Sequence, residues 1–397
     1  MFQQSHCKRY TKVFLFALIG LFGVVGETWA LFFAYVANQG SNNVSAYTIA
    51  PGTGILMPVA GSPFAAGAGP ASVTVSPNGT FAYVANQGSN DVSAYAIAPG
   101  TGALTPVAGS PFATGESPRS VAVSPNGAFA YVASHDGVSA YTIAASTGAL
   151  TPVAGSPFTA GLAPISVTVS PNGAFAYVAS QVGEVSAYTI ANDTGVLTPV
   201  TGSPFFSDGA ISQSVTVSPN GNFAYVSNFL GGISAYTIAA GTGVLTPVTG
   251  SPFGAGAYLY SITISPNGAF AYVGSTNGVS AYTIAAGTGA LTPVAGSPFP
   301  AGAFSPTVTI SPNGAFAYLP NKTSDDVSAY TIAAGTGVLT PVADSPFTAG
   351  SSPASIAISP DLAPVAISIP TLSPIGYILL VLALIVTVAV QRRKLSC

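Results

Sequence analysis

Short apolar runs alternate with small and polar residues along most of this chain, and the same runs return at a fixed interval. Within Ser72–Phe112 there are four: Ser72–Val75 (SVTV), Phe81–Val84 (FAYV), Val92–Ile97 (VSAYAI) and Leu104–Phe112 (LTPVAGSPF). Each is bounded by turn residues and is rich in β-branched and aromatic side chains, which predicts β-strands. Ser76-Pro77-Asn78-Gly79 separates the first two, and its Asn-Gly pair, tolerant of positive φ, predicts a hairpin turn. Ala98–Gly102 (APGTG) predicts a second tight connection. With period two, Phe81 and Tyr83 share one face and Ala82 and Val84 the other; Ser93, Tyr95 and Ile97 likewise oppose Val92, Ala94 and Ala96. We expect a bulky and a small face on each sheet, stacked bulky against small, with the tyrosine rows in the core.

The interval sets the fold. The Asn of the SPNG turn recurs at Asn78, Asn126, Asn172, Asn220, Asn267 and Asn313, spacings of 46–48 residues, and a decayed copy begins at Ser359. Four antiparallel strands at that period is the spacing of a propeller blade. The FAYV strand occurs seven times, beginning at Phe33, Phe81, Phe129, Phe175, Phe223, Phe270 and Phe316. The first strand also occurs seven times, beginning at Ser72, Ser120, Ser166, Ser214, Ser261, Thr307 and Ser355. The two series are out of step at the ends. Pairing Ser355–Ile358 with Phe33–Val36 resolves this and closes a seven-bladed all-β propeller over residues 31–368 with strands from both ends of the chain. An open β-solenoid is the alternative, but it needs end caps that ring closure removes.

Charge is scarce, at 5% of residues. Between Leu31 and Ser368 only Arg119 and Lys322 are basic, against ten acids. A nucleic-acid surface needs clustered cations, so that partner class is excluded. Cys7 and Cys397 lie outside the repeats, which leaves no disulfide framework in the body. No P-loop, GxSxG, HExxH or Cys/His zinc spacing occurs, and we expect neither metal nor other cofactor. Asp325-Asp326 and Gly88–Asp91 offer oxygen ligands of the kind calcium takes, at neither EF-hand nor RTX-like spacing.

The ends carry the other six basic residues. Lys8, Arg9 and Lys12 precede the apolar Val13–Val25, and Thr28-Trp29-Ala30 approximates a cleavage site, so residues 1–30 are expected to be a signal peptide, with an uncleaved anchor as the alternative. Near the other end Ser373–Val390 is free of charge, and its 18 residues would span about 27 Å as a helix, enough for a bilayer core. Arg392, Arg393 and Lys394 follow, which predicts a cytoplasmic C-terminus and an exported propeller.

Two resemblances attach to these motifs. The tail Ile369–Cys397 resembles the IPTL-CTERM class of bacterial sorting signals, with Ile369, Pro370, Thr371 and Leu372 as its motif and Gly376 as its glycine. Ile375 stands where that class carries Trp. The resemblance implies a membrane-tethered protein of a Gram-negative envelope and a sorting peptidase as a partner. The repeats, with Ser76-Pro77-Asn78-Gly79 followed by Tyr83-Val84-Ala85-Asn86, resemble the YVTN-type and lactonase-like seven-bladed propellers. Some members of that group open sugar lactones such as 6-phosphogluconolactone. A phosphosugar enzyme calls for cationic partners, and this body offers two.

Residues present in every copy serve the repeat, so a site is expected where copies differ. These places are the loops between the second and third strands and the loops between blades, which open on one face. Their unusual residues are Glu116, Arg119, His135, Asp136, Glu184, Asp208, Tyr258, Tyr260, Lys322, Asp325 and Asp326. A near-perfect repeat with few titratable groups leads us to expect a binding module that takes a protein or glycan ligand through these loops, without catalysis. One alternative is a lactonase-like hydrolase using His135, Glu116, Arg119 or Glu184 near the central channel, where the His135-Asp136 pair offers a base and an orienting carboxylate. The other is a structural envelope or adhesive protein.

Overall fold

The computed structural model describes residues 32–361, apart from 208–210, 257, 277, 303, 305 and 306. The expected signal peptide, the motif Ile369–Leu372 with Gly376, the apolar tail segment and Asp208 lie outside the described residues. Seven antiparallel sheets form a closed ring. One blade comprises an inner strand Pro70–Val75, a second strand Phe81–Asn86, a third strand Asp91–Ile97 and an outer strand Leu104–Pro106, hydrogen-bonded in that order. We number the blades from the one containing Phe32–Asn38, so this is blade 2.

Blade 1 takes its inner strand from the far end of the repeat region. Pro353–Ile358 pairs with Phe32–Asn38, setting Ala34 opposite Ile358 and Val36 opposite Ile356. Beyond the strand, the Phe33 amide donates to Ser359 Oγ at 2.9 Å and the Ser359 amide to the Phe33 carbonyl at 2.8 Å. The expected closure is the one observed.

Three local expectations change. In the SPNG turn only the glycine is left-handed, with φ +72° at Gly79. Pro77 presets the first central position, the Gly79 amide bonds the Ser76 carbonyl at 2.8 Å, and Asn78 Oδ1 accepts the Ser76 hydroxyl at 2.7 Å. The run Leu104–Phe112 is two pieces rather than one strand. Leu104–Pro106 ends at a turn, and Phe112–Ala113 returns to pair with the start of the third strand. Nor does a blade have one bulky and one small face. Register sets Tyr83 opposite Ala94 and Ala82 opposite Tyr95, so each face mixes a large row from one strand with a small row from its neighbour. Across the seam from blade 1, Phe33, Tyr35, Val44 and Ala46 therefore meet Ala82, Val84, Tyr95 and Ile97. Complementarity is reached within each face, residue by residue.

Each seam carries two tyrosine hydroxyls. The second-strand tyrosine donates forward to a glycine carbonyl in the next blade's Thr-Gly turn: Tyr35 to Gly102, Tyr83 to Gly148, Tyr131 to Gly195 and onward to Tyr318 with Gly54, all at 2.9–3.0 Å. The third-strand tyrosine donates backward, as Tyr95 does to the Ala65 carbonyl at 2.6 Å and Tyr141 to Ala113 at 2.6 Å. The glycine has two reasons to be there. Gly195 has φ +73°, and a Cβ on it would lie 2.4 Å from the Phe129 ring. Only glycine meets both conditions.

Burial pushes the pKa of all seven second-strand tyrosines well above the ordinary phenol value. Below about pH 10 both folded and unfolded chains keep the phenol protons, and the full stabilisation is present. Above that the unfolded chain ionises first, so stability is lost as pH rises. We expect Tyr131→Phe to cost about 1–3 kcal/mol at neutral pH by stranding the Gly195 carbonyl. It should also make the alkaline loss of stability less steep. Urea midpoints from pH 8 to 12 check both, and an unchanged alkaline slope would count against the ionisation account.

Candidate active site at the channel mouth

The inner strands surround the axis, and each turns one hydroxyl toward it. Ser72, Ser120, Ser166, Ser214, Ser261, Thr307 and Ser355 all line a cavity of about 350 Å³. The inner-strand amides tie blade to blade through these hydroxyls. Val73 N donates to Ser355 Oγ at 3.2 Å, Val121 N to Ser72 at 3.3 Å, and Val167 N to Ser120 at 3.2 Å. Because every copy has this hydroxyl, it builds the channel wall and carries no information about the ligand.

Specific chemistry enters at two positions per blade. One immediately precedes the hydroxyl: Ala71, Arg119, Ile165, Gln213, Tyr260 and Ala354 line the cavity from there. The other immediately follows the second strand, where Gln39, Gln87, His135, Gln181, Phe229, Thr276 and Lys322 stand in successive blades. Of these, Gln39, Gln87 and Lys322 reach the cavity.

The mouth has a polar arc and an aromatic arc. In the polar arc Lys322 Nζ donates to Gln39 Oε1 at 2.5 Å, Gln39 Nε2 to Gln87 Oε1 at 2.9 Å, and Gln87 Nε2 to Ser117 Oγ at 3.0 Å. In the aromatic arc Phe304 meets Tyr260 edge-on with centroids 4.6 Å apart, and Tyr260 meets Phe229 at 5.5 Å. Lys322 joins the two, its Nζ 5.9 Å from the Phe304 ring centre. Arg119 and Lys322, the two basic residues of the repeat region, thus share one cavity whose lining includes no carboxylate among the described residues. Burial lowers the Lys322 pKa from the ordinary lysine value. It raises that of Tyr260, with a smaller contribution from Tyr258.

The family described as "Lactonase, 7-bladed beta-propeller" matches residues 32–157, 134–303 and 246–356, nearly the whole ring. The chain belongs to this lactonase family. Solved structures of similar fold include a putative 6-phosphogluconolactonase from Bacteroides fragilis, 20% identical with a TM-score of 0.72, covering 84% of this chain and 99% of that one. Another from Bacteroides uniformis is 20% identical at a TM-score of 0.71, over 83% and 99% of the two chains. The periplasmic gluconolactonase of Pseudomonas aeruginosa is 19% identical at 0.68, over 83% and 99%. No curated protein matches the chain.

These findings overturn the expectation of a non-catalytic binding module and favour the lactonase-like alternative. The scarcity of cations misled us, because what counts is where the two are. Of the four residues expected to be catalytic in that alternative, Arg119 lines the cavity of this lactonase-family ring, while His135, Glu116 and Glu184 lie outside its lining. The His135-Asp136 pair clasps a loop instead: His135 N donates to the Glu116 carbonyl at 2.7 Å, and Asp136 Oδ1 accepts Glu116 N at 3.1 Å. Both side chains of the pair are exposed. Glu184 sits half-buried at the start of a third strand, opposite Ser180 and Phe206. The carboxylates of Asp325 and Asp326 are also engaged locally, accepting Ser352 N at 2.7 Å and Asn321 Nδ2 at 2.5 Å. Among the described residues no three His, Cys, Asp or Glu side chains gather as a metal site.

Tyr260 and Lys322, expected in the sequence to contact a ligand, line the cavity, and Tyr258 stands two ring contacts from Tyr260, through Phe229. Gln39, Gln87, Gln213 and Phe304 went unnoticed because single Gln or Phe residues in a loop carry no chemical signature. Their signal is positional, since they occupy repeat columns that touch the axis. We expect Arg119→Met and Lys322→Met each to weaken binding of inorganic phosphate or gluconate by about tenfold, the worth of one charged hydrogen bond. Isothermal titration calorimetry at low salt measures this, with Glu116→Gln as the control outside the cavity.

Proposed function

We propose that this cavity is the active site of a lactone hydrolase. The observation that carries the proposal is the convergence of Arg119 and Lys322 on one polar cavity in a member of the lactonase family. Hydrolysis of a lactone needs a base for the attacking water, a donor for the developing oxyanion, and groups that hold the ring. Lys322, with its pKa lowered by burial, has a larger neutral fraction near neutrality than an exposed lysine. Gln39 Oε1 accepts one of its protons and so orients the nitrogen lone pair.

In the proposed reaction, water attacks the carbonyl carbon while Lys322 takes its proton, and Arg119 donates to the carbonyl oxygen as it becomes an oxyanion. The tetrahedral intermediate then expels the ring oxygen, which recovers the proton from the Lys322 ammonium. The product is the open hydroxy acid. Gln87 and Gln213 are placed to hold polar substituents of the ring. At short range the two cations at the axis favour a negatively charged or strongly polar group in the cavity.

Wild-type protein should hydrolyse lactones to hydroxy acids, with Lys322→Met lowering kcat/KM by about 10²–10⁴ and Arg119→Met by about 10²–10³. A His135→Ala/Glu184→Ala double variant should stay near wild type. After subtraction of spontaneous opening, the rate should rise with pH through the lowered Lys322 pKa, because the base acts when neutral. Turnover lost in the double variant but kept in Lys322→Met would move the active site to the outer loops.

We also propose that the enzyme works outside the inner membrane, tethered by the tail that follows the propeller and open to a sorting peptidase there. The supporting features are the charge and hydropathy pattern of both ends. Protease added to intact spheroplasts should digest the propeller, and protection there would place it in the cytoplasm.

A further inference from the structure

The aromatic arc does not end at the cavity. From Phe304 and Tyr260 it continues through Phe229 to Tyr258, the last pair edge-on with centroids 5.0 Å apart. Tyr258 is 45% exposed, and Leu230, next to Phe229, is 58% exposed. The other copies provide an internal control. Where Phe229 stands, blades 1, 2 and 4 carry Gln39, Gln87 and Gln181. Where Tyr258 and Phe304 stand, four other copies carry Gly69, Ser117, Ala163 and Ser352, and the remaining one carries Ile211.

That second position is left-handed at Gly69, Ser117, Ala163 and Ser352, with φ between +51° and +65°. A bulky side chain at positive φ is a conformational outlier, and a glycine or small polar residue is the unstrained choice. Tyr258 at φ +61° and Phe304 at φ +57° accept that strain. The tyrosine hydroxyls that latch blade to blade belong to the described tyrosines other than Tyr258 and Tyr260, whereas Tyr258, Tyr260 and Phe304 meet the neighbouring blade through ring contacts at the mouth. The rings form a strip at the mouth, continuous with the cavity and opposite its polar arc.

We infer that the strip holds the apolar substituent of the substrate, which is then a lactone bearing an alkyl, acyl or aryl group rather than a fully hydroxylated sugar lactone. The inference rests on the lactone-hydrolase reading above. The lactone ring lies at Arg119 and Lys322, and its apolar arm leaves the cavity over Tyr260 and Phe229 toward Tyr258.

The test compares γ-valerolactone, γ-decalactone and γ-dodecalactone with glucono-δ-lactone on the full chain, in wild type, Phe229→Gln and Tyr258→Gly. Both substitutions install residues that other blades already carry, so the fold is kept. In wild type, kcat/KM should rise about threefold per added methylene while the chain lies on the strip. The rise should flatten in both variants. The matching alkyl lactams, which resist hydrolysis, give the same comparison by calorimetry. Turnover of glucono-δ-lactone above all alkyl lactones, or a chain-length effect that survives both substitutions, overturns the inference and leaves the hydrolase standing. Chain-length-dependent lactam binding without turnover of any lactone upholds the apolar strip and sinks the hydrolase.

Discussion

A tyrosine hydroxyl crossing each seam to a glycine carbonyl is the contact on which the ring depends. The second-strand tyrosines are fully buried, and a buried phenol must find an acceptor. The acceptor is available because the next blade's turn is left-handed at its glycine and has no Cβ to exclude the neighbouring Phe ring. This hydrogen bond and the packing of the Phe ring on the glycine, with the third-strand tyrosine bonding back the other way, recur at every seam. Since Tyr318 closes onto Gly54 as the others close onto their neighbours, the last seam has the same construction as the rest.

Such a rigid ring separates what holds the protein together from what it can recognise. Seam tyrosines, turn glycines and channel hydroxyls are all committed to neighbouring blades. Two repeat positions bring side chains to the axis in several blades, and their identities vary from copy to copy. Arg119, Lys322, Tyr260 and the glutamines occupy those positions. Phe304 occupies a left-handed interblade position where four copies carry the small residues Gly69, Ser117, Ala163 and Ser352.

The electrostatics follow from the same geometry. Two cations among ten acids look insignificant when counted along a chain. Placed at one partly desolvated cavity where no described carboxylate lines the wall, they dominate the local potential, because charges interact more strongly out of bulk water and low-dielectric walls focus the field. The same desolvation that lowers the Lys322 pKa leaves a larger share of it neutral near pH 7 than of a surface lysine.

Strand positions, blade number and the pairing of Ser355–Ile358 with Phe33–Val36 were legible in the sequence alone. Each follows from local alternation and a constant period, which need no knowledge of distant contacts. The tyrosine rows were legible as core for the same reason. The composition of each face was not, since it depends on which residue of the third strand stands opposite Tyr83, and register is a property of paired strands. Nor could the sequence show that LTPVAGSPF breaks into two pieces, because its Phe returns to a strand already formed. The site was least legible of all. Arg119 and Lys322 are about 200 residues apart, and His135 shares Lys322's repeat position without reaching the cavity. Only closure of the ring brings separate blades to a common axis, and only the direction each loop takes there decides which side chains meet.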